Sequence, residues 1–270
     1  MSRKRQKTRT RTHLLSNGWY NLGKALIGNE RDMTDIQVSQ DRWALIKQFV
    51  AQWHRPLAQE DGLPLAEIRE AEGQFDNPFP LALREWYLLA GRRSDLNAAQ
   101  NYLLSPTHLE VSDEHLVFFM ENQAVVRWGM RLSDLGMADP PVYLDNDFSV
   151  PTAPPSRPWI LENATFSEFL LQMIMVHTLV RNRPSQENFF CGCAEIDPST
   201  MEQIATLFPR FEFPLWHWPF YPTQFFGTDE VLLMVDGSLW LWVVAQSALV
   251  LKKLEERIPV TWIHLEGPSF

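Results

Sequence analysis

Apolar positions in the first third of the chain recur with helical spacing. A helix predicted to begin at Ser39, whose hydroxyl can cap it, and to end before Pro56 carries an apolar face made of Trp43, Ile46, Phe49, Val50 and Trp53. A short helix is predicted behind Pro64, and another from Pro80 to Gly91. Gly91 is expected to take the left-handed conformation that often ends a helix. The chain up to Gly91 is therefore expected to be mainly helical.

The pattern changes to β-branched and aromatic runs in the middle of the chain. The runs 115–120 (HLVFFM) and 124–130 (AVVRWGM) are separated by only three residues, which predicts a β-hairpin. A further short strand is predicted at 142–144. Thr165 and Glu168 have the spacing of a capping box, and the apolar residues that follow predict a deeply buried helix.

The last part of the chain repeats these signals in a different order. An Asp-Gly pair joins the apolar runs 231–235 and 238–244, which predicts a second hairpin. Ser247 is expected to cap a helix, and a final strand is predicted at 260–264. Helices and hairpins that alternate without a regular β-α-β pattern predict an α+β fold, a mainly antiparallel sheet flanked by helices.

Charge divides the chain into two parts. The 270 residues contain 24 Lys and Arg and 33 Asp and Glu, a formal net charge of −9. Six cations and no acids lie in the first twelve residues, so the rest carries 18 − 33 = −15. We expect a flexible basic arm at 1–33, read either as a solvated tail or as a contact for nucleic acid or a membrane surface, and a single domain at 34–270. An acidic body repels phosphate backbones and attracts basic proteins, so it is not expected to bind nucleic acid.

The sequence favours a cytoplasmic location. No apolar run has the 18 residues of a membrane span, and no apolar segment of a secretory signal follows the basic residues at the N-terminus. Only two cysteines are present, Cys191 and Cys193, too few for the disulfide framework of a small secreted protein. With His177 or His217 they could supply part of a metal site, but a second ligand pair is missing. We expect two reduced thiols and no metal.

Catalytic chemistry has few candidates in this sequence. Asp145 and Asp147 alternate around an asparagine after a predicted strand, as paired carboxylates of a hydrolase or cation site do, but such a stretch is also an ordinary polar turn. A nucleophile elbow and glycine-rich phosphate loops are both missing. We expect no catalytic centre and no cofactor. The aromatic and proline-rich segment 213–222 (FPLWHWPFYP) is read as a packed corner of the core or as a binding patch.

Five segments in a fixed order resemble one protein family. They are IREAEGQF at 68–75, FPLALREWYLLAG at 79–91, LVFFMENQAVVRWGM at 116–130, DPPVYLDND at 139–147 and TFSEFLLQMI at 165–174. The set resembles the SUKH superfamily, which includes the yeast cell-wall-assembly regulator and many bacterial immunity proteins. The likeness spans about 63–180, with a weaker one in the strand-turn-strand-helix at 228–258. The helical and basic extension before residue 60 and the segment 213–222 depart from the family pattern.

The resemblance implies an α+β domain that is not an enzyme. In that family such a domain is typically an immunity protein that binds and neutralises a toxin domain, often a nuclease or deaminase. The positions that match the family pattern are Trp86, Gly91, Glu121, Asn122, Trp128, Gly129, Pro140, Pro141, Phe166 and Phe169. Most of them are interpreted as fold determinants, whereas Trp128 and Glu121 are expected to face a cleft.

An acidic body would speed the encounter with a basic toxin domain and could occupy the surface that such a domain uses for phosphate. The residues expected to bind the partner lie in or beside the predicted sheet loops: Glu110, Asp113, Glu114, Glu121, Trp128, Asp145 and Asp147. The alternative interpretations are that these acids are merely solvated, that the domain regulates an endogenous partner of cell-wall or stress machinery, or, less favoured, that it is a carbohydrate-active hydrolase.

Overall fold

The computed structural model describes residues 38–146, 159–180, 190–216, 222–237 and 239–266. These residues form seven α-helices and two antiparallel sheets, which confirms the predicted α+β class. The expected basic arm at 1–33 lies outside the described residues.

The helices are α1 (Val38–Trp53), α2 (Leu65–Glu72), α3 (Leu81–Ala90), α4 (Ser94–Asn97), α5 (Phe166–Val180), α6 (Pro198–Leu207) and α7 (Ala248–Arg257). The strands of the first sheet are β1 (Asn101–Leu103), β2 (Glu110–Ser112), β3 (His115–Glu121), β4 (Val126–Arg131), β5 (Val142–Asn146) and β6 (Ile160–Asn163). Those of the second sheet are β7 (Phe190–Glu195), β8 (Thr223–Gly227), β9 (Val231–Asp236), β10 (Trp240–Ala245) and β11 (Trp262–Glu266).

The first sheet has the order β1-β3-β4-β5-β6, and β2 also pairs with β3. The short strand β1 pairs with residues 119–121 of β3, and β2 pairs with residues 115–117. Because β4 occupies the other edge of β3, the two short strands lie one after the other along the same edge. The acidic residues near Glu110 are thereby placed at the border of the sheet.

The second sheet has the order β11-β7-β10-β9-β8. Residues on one face, among them Phe225, Met234 and Val244, belong to the large core that also contains α1 and the first sheet. Residues on the opposite face, among them Leu233 and Val243, form a smaller core with α6 and α7. Period-two alternation along the strands thus supplies apolar side chains to both faces.

Helix α5 lies at the centre, between the two sheets. Every residue from Phe169 to Leu179 is buried, which confirms the predicted deep burial of this helix. Phe169 contacts the aromatic rings of Phe118, Phe119 and Trp128 from the first sheet. On its other side α5 contacts β9 and β10. A helix that is apolar around its whole circumference needs this enclosure.

A side chain from outside the helix caps the N-terminus of α5. The Asp139 carboxylate accepts hydrogen bonds from Ser167 N at 3.0 Å and from Ser167 Oγ at 2.6 Å, and Arg42 Nε lies 3.1 Å from it. Thr165 Oγ1 accepts a bond from Glu168 N, as half of the expected capping box. The DPPVY and FSEFL segments are therefore joined by a direct contact that positions the central helix.

Gly91 is not left-handed, contrary to the expectation. Its φ is −60°, and a Cβ at this position would lie 2.7 Å from both the Leu63 side chain and the Tyr87 carbonyl. Close packing, rather than backbone conformation, explains the glycine. At the Asp-Gly pair of the second hairpin, by contrast, Gly237 does have a positive φ of 62°.

Several element boundaries differ from the prediction. The first hairpin turns over 122–125 rather than over three residues, with Ala124 at a φ of 58°. The second strand of the later hairpin begins at Trp240 instead of 238, and the last strand begins at Trp262 instead of 260. The first helix ends at Trp53, and its predicted apolar face is buried. Ser247 caps α7 as predicted, by accepting a bond from Val250 N.

Candidate partner-binding face

The face of the first sheet that points away from α5, here called the outer face, brings together charged and aromatic side chains from five segments. Cross-strand register places Arg127 beside Asp145, and His115 beside Arg131. The residues of this face that concern us are Glu110, His115, Arg127, Gly129, Arg131, Tyr143, Asp145 and Trp159. Four of the seven predicted partner-binding acids and aromatics, discussed next, lie on this face or on the turn at its border.

Asp113 and Glu114 form the tight turn between β2 and β3. Their φ angles are 46° and 61°, which is the left-handed backbone that two-residue hairpins require at both turn positions. Asn, Asp and Gly meet this requirement at little cost, whereas Glu114 loses about 1 kcal/mol or more in this conformation. Both side chains are exposed, and neither forms an ion pair with any described residue. The turn therefore presents two uncompensated carboxylates.

Arg127 neutralises the two predicted acids that lie on the strands themselves. Its guanidinium forms an ion pair with Asp145 through Nε, at 3.0 Å, and through Nη2. Nη1 lies 3.3 Å from Glu110, whose side chain remains half exposed. Asp145 is thus held by a cation rather than by a second carboxylate, which disfavours a hydrolase built on it. Asp147 lies outside the described residues.

Glu121 and Trp128 do not face a cleft, which corrects the expectation for both. Trp128 is fully buried and packs against Phe119 and Phe169. Glu121 is 4% exposed, and its carboxylate accepts a hydrogen bond from Gln123 N at 2.7 Å, inside the hairpin loop. Both residues stabilise the sheet, so the surface available to a partner is smaller than the sequence suggested.

Aromatic side chains pack over part of the outer face, an arrangement that the sequence did not predict. We call these residues, His115, Tyr143 and Trp159, the aromatic cover. Trp159 stacks on His115 with ring centroids 4.2 Å apart and 10° between the planes, and Tyr143 meets His115 edge-on. Arg131 lies over the Tyr143 ring at 4.2 Å. A Cβ at residue 129 would lie 2.9 Å from the Trp159 ring, so this position needs Gly129. Because β6 was not predicted, the sequence offered no signal for this stacking.

The polar atoms of this cover are incompletely satisfied. His115 Nδ1 lies 2.7 Å from the Asp113 carbonyl oxygen, whereas His115 Nε2 and Trp159 Nε1 are buried and find no hydrogen-bond partner within the described ranges. Burial lowers the pKa of His115 below the usual 6.5; the Asp113 carbonyl opposes this shift and the charge of Arg131 adds to it. The histidine is therefore neutral at physiological pH.

The metal candidates do not come together in the described part of the chain. Cys191 and Cys193 lie two residues apart on β7 and are half buried, while His177 lies within α5 with Nδ1 2.8 Å from the Leu96 carbonyl. Within the described ranges no three His, Cys, Asp or Glu side chains are arranged to hold a metal ion. His217 lies outside those ranges.

A chain of contacts resembling a hydrolase triad joins α1, α4 and α5. Thr178 Oγ1 lies 2.9 Å from His54 Nε2, and His54 Nδ1 lies 3.4 Å from the Asp95 carboxylate. The Thr178 hydroxyl, however, donates its one proton to the Ile174 carbonyl at 2.7 Å. His54 Nε2 must then donate to the hydroxyl instead of accepting from it, so this geometry does not activate Thr178 as a nucleophile.

The same contacts continue into a buried ionic cluster, made of His54, Arg55, Asp61, Arg93 and Asp95. Arg93 donates two bonds of 2.7 Å to Asp95 and one of 3.2 Å to Asp61, and Arg55 also binds Asp61. Asp61 and Arg93 are 3% and 4% exposed. Since each buried charge faces an opposite one, the cluster serves to join helices and not to bind a partner.

The described half of the aromatic segment 213–222 belongs to the core. Trp216 is buried, stacks on Phe169, and donates from Nε1 to Asn163 Oδ1 at 3.0 Å. Phe213 stacks on Phe211 and meets Phe225 edge-on. These contacts match the packed-corner interpretation as far as Trp216; residues 217–221 lie outside the described ranges.

Comparison with protein-family models, curated proteins and solved structures finds no match to this chain. Among the described helices, none combines the length and the apolar character needed to cross a bilayer. The outer face and the order of motifs in the sequence are therefore the features that indicate a function.

Proposed function

We propose that this chain is a non-enzymatic, cytoplasmic protein-binding domain of the SUKH type, an immunity protein that neutralises a basic toxin domain such as a nuclease. The observation that carries the proposal is the β2–β3 turn, where two exposed carboxylates occupy positions that a neutral Asn-Gly would stabilise more. Two exposed carboxylates side by side on a tight turn are a surface that a cationic partner can bind.

Neighbouring residues support the use of this border of the sheet. Glu110 remains half exposed beside the turn, and Val111 between them is 52% exposed. A partner can therefore gain both charge complementarity and apolar contact over a short stretch of chain. Residues 13–270 carry a net charge of −15, which steers a basic domain towards the molecule over a longer range.

The test is to search the flanking genes for a basic nuclease-type domain and to measure whether this chain protects bacterial cells that express it. Co-expression of the wild-type chain is expected to restore growth. The triple variant Glu110→Lys, Asp113→Lys, Glu114→Lys is expected to lose protection, because like charges then face the toxin domain.

A matched control places the same charge change elsewhere. Glu195, Glu202 and Glu256 are exposed on β7, α6 and α7, away from the first sheet, so the triple variant Glu195→Lys, Glu202→Lys, Glu256→Lys should leave protection unchanged. Failure of the wild-type chain to protect or to bind, or equal loss of protection in the control, would contradict the proposal.

A further inference from the structure

We infer that His115 is a proton-operated latch for the β2–β3 turn: the neutral imidazole holds Asp113 and Glu114 in their partner-facing conformation, and protonation releases them. The latch is a property of the folded chain by itself. Only its consequence for binding rests on the proposed function.

Hydrogen-bond roles fix the protonation state of His115. The Asp113 carbonyl oxygen can only accept, so the proton of the neutral ring must lie on Nδ1, which is 2.7 Å away. Nε2 then carries the lone pair. It is buried and has no hydrogen-bond partner among the described residues, in a side chain whose residue is only 7% exposed. The neutral ring thus makes one good hydrogen bond and leaves one weak acceptor unused.

Protonation places a hydrogen and a positive charge on Nε2, where the described part of the chain offers no acceptor. The groups that face His115 are Arg131 from β4, Tyr143 and Asp145 from β5, Asp113 from its own turn, and Trp159. Arg131 repels the new charge. The acids and the Trp159 ring attract it, but Asp145 is already paired with Arg127. A buried, unpaired donor is costly, so the charged ring is expected to leave the stack for water.

Departure of the ring removes a direct restraint on the strained turn. The His115 to Asp113 bond spans Glu114 and helps to hold both residues at positive φ. The turn stays closed at its base, because Ser112 still pairs with His115 and Leu132 N still donates to the Glu114 carbonyl at 2.8 Å. Without the bond from His115, the Asp113–Glu114 peptide can turn over to the type II′ geometry, in which Glu114 has an ordinary negative φ, and this redirects the Glu114 carboxylate.

The latch is tested by an NMR pH titration of the isotope-labelled full chain. The His115 ring is expected to titrate below 6.5, and the backbone amides of Asp113 and Glu114 should shift with the same midpoint. The exposed His108, whose Nδ1 lies 2.6 Å from Ser105 Oγ, serves as an internal reference in the same spectra. A His115 midpoint at or above 6.5, or turn amides that do not follow it, would overturn the inference.

Two variants separate His115 from the other titrating groups. In His115→Asn the amide can still donate to the Asp113 carbonyl but cannot titrate, so the turn amides should lose their pH response. His108→Asn should retain the wild-type response. If the turn amides of His115→Asn still shift with the wild-type midpoint, another group controls the turn and the latch is excluded.

Binding to the basic nuclease-type domain supplies the second readout, at about pH 7.5 and at about one pH unit below the measured midpoint. If only the neutral form binds, wild-type affinity falls about tenfold, whereas that of His115→Asn stays level. An equal fall in both proteins would overturn the link between latch and binding. If the turn amides follow the His115 titration but the chain binds the domain at neither pH, the result supports the latch and contradicts the proposed function.

Discussion

Acidic residues have opposite environments in two parts of the molecule, the ionic cluster around Arg93 and the turn between β2 and β3. In the cluster, Asp61 and Asp95 are enclosed and each faces arginine. At the turn, Asp113 and Glu114 are exposed, form no ion pair with described residues, and occupy strained backbone positions. The contrast separates charges that hold the fold from charges that remain available to a partner.

The largest expected effect comes from breaking the cluster. Arg93→Met leaves the Asp95 carboxylate, which is 25% exposed, without its arginine and the buried Asp61 with Arg55 alone, which should lower the free energy of unfolding by about 3 kcal/mol in urea denaturation. The neighbouring Arg92 is exposed, so Arg92→Met should change it by about 0.5 kcal/mol or less. If both variants lower the free energy of unfolding by a similar amount, the ion pairs of Arg93 do not stabilise the fold more than an exposed arginine does.

Acid should weaken the cluster next. Hydrogen bonds from Arg55 hold the pKa of Asp61 below its usual 3.8, and those from Arg93 outweigh burial to hold the pKa of Asp95 well below it. Carboxyl groups with a lowered pKa stabilise the fold above pH 3.8, and this contribution is lost as the pH falls further.

The measurement is the unfolding free energy of the wild type and of Asp61→Asn from neutral pH down to acid. Below pH 3.8 the wild-type curve should be the steeper one, by up to about 1.4 kcal/mol per pH unit. Parallel curves over the whole range would mean that Asp61 is not held ionised by the cluster.

Substitutions at the β2–β3 turn are expected to have a smaller effect on the free energy of unfolding, and to raise it. The double variant Asp113→Asn, Glu114→Gly supplies the residues that positive φ angles favour, and should raise the free energy of unfolding by about 1 kcal/mol. The same change should weaken binding of a basic domain because two carboxylates are lost. If the double variant is less stable than the wild type, the turn backbone is not strained. If the variant binds the basic domain as tightly as the wild type does, the turn is not part of the interface.

The smallest effect concerns Glu110. Its ion pair with Arg127 is exposed, so Glu110→Gln should alter stability by about 0.5 kcal/mol or less, as measured by thermal unfolding. A larger loss would assign Glu110 to the fold, as in the cluster, instead of to the exposed border.

Local signals in the sequence were sufficient for most of the elements. The apolar face of α1, the capping of α5 and α7, and both hairpins follow from residues close to one another in the chain. The β2–β3 turn was not predicted, because Asp113-Glu114 lacks the glycine that marks such turns. Its acids were singled out only by charge.

Contacts between distant segments could not be predicted in the same way. Asp139 caps α5 across 28 residues, and Thr178 meets His54 across 124. Trp159 covers His115 only because β6 adds to the sheet beside β5. Trp128, a position that matches the family pattern, was expected to face a cleft, yet its packing against Phe119 and Phe169 buries it completely.

Hydrogen–deuterium exchange of this chain, alone and with a basic nuclease-type domain against which it protects cells, decides whether the β2–β3 hairpin binds that domain. The account predicts that the domain slows exchange at 110–117, the β2–β3 hairpin, and leaves the residues of the ionic cluster unchanged. Protection confined to other surfaces, or no protection under conditions in which the domain is saturated, would contradict it.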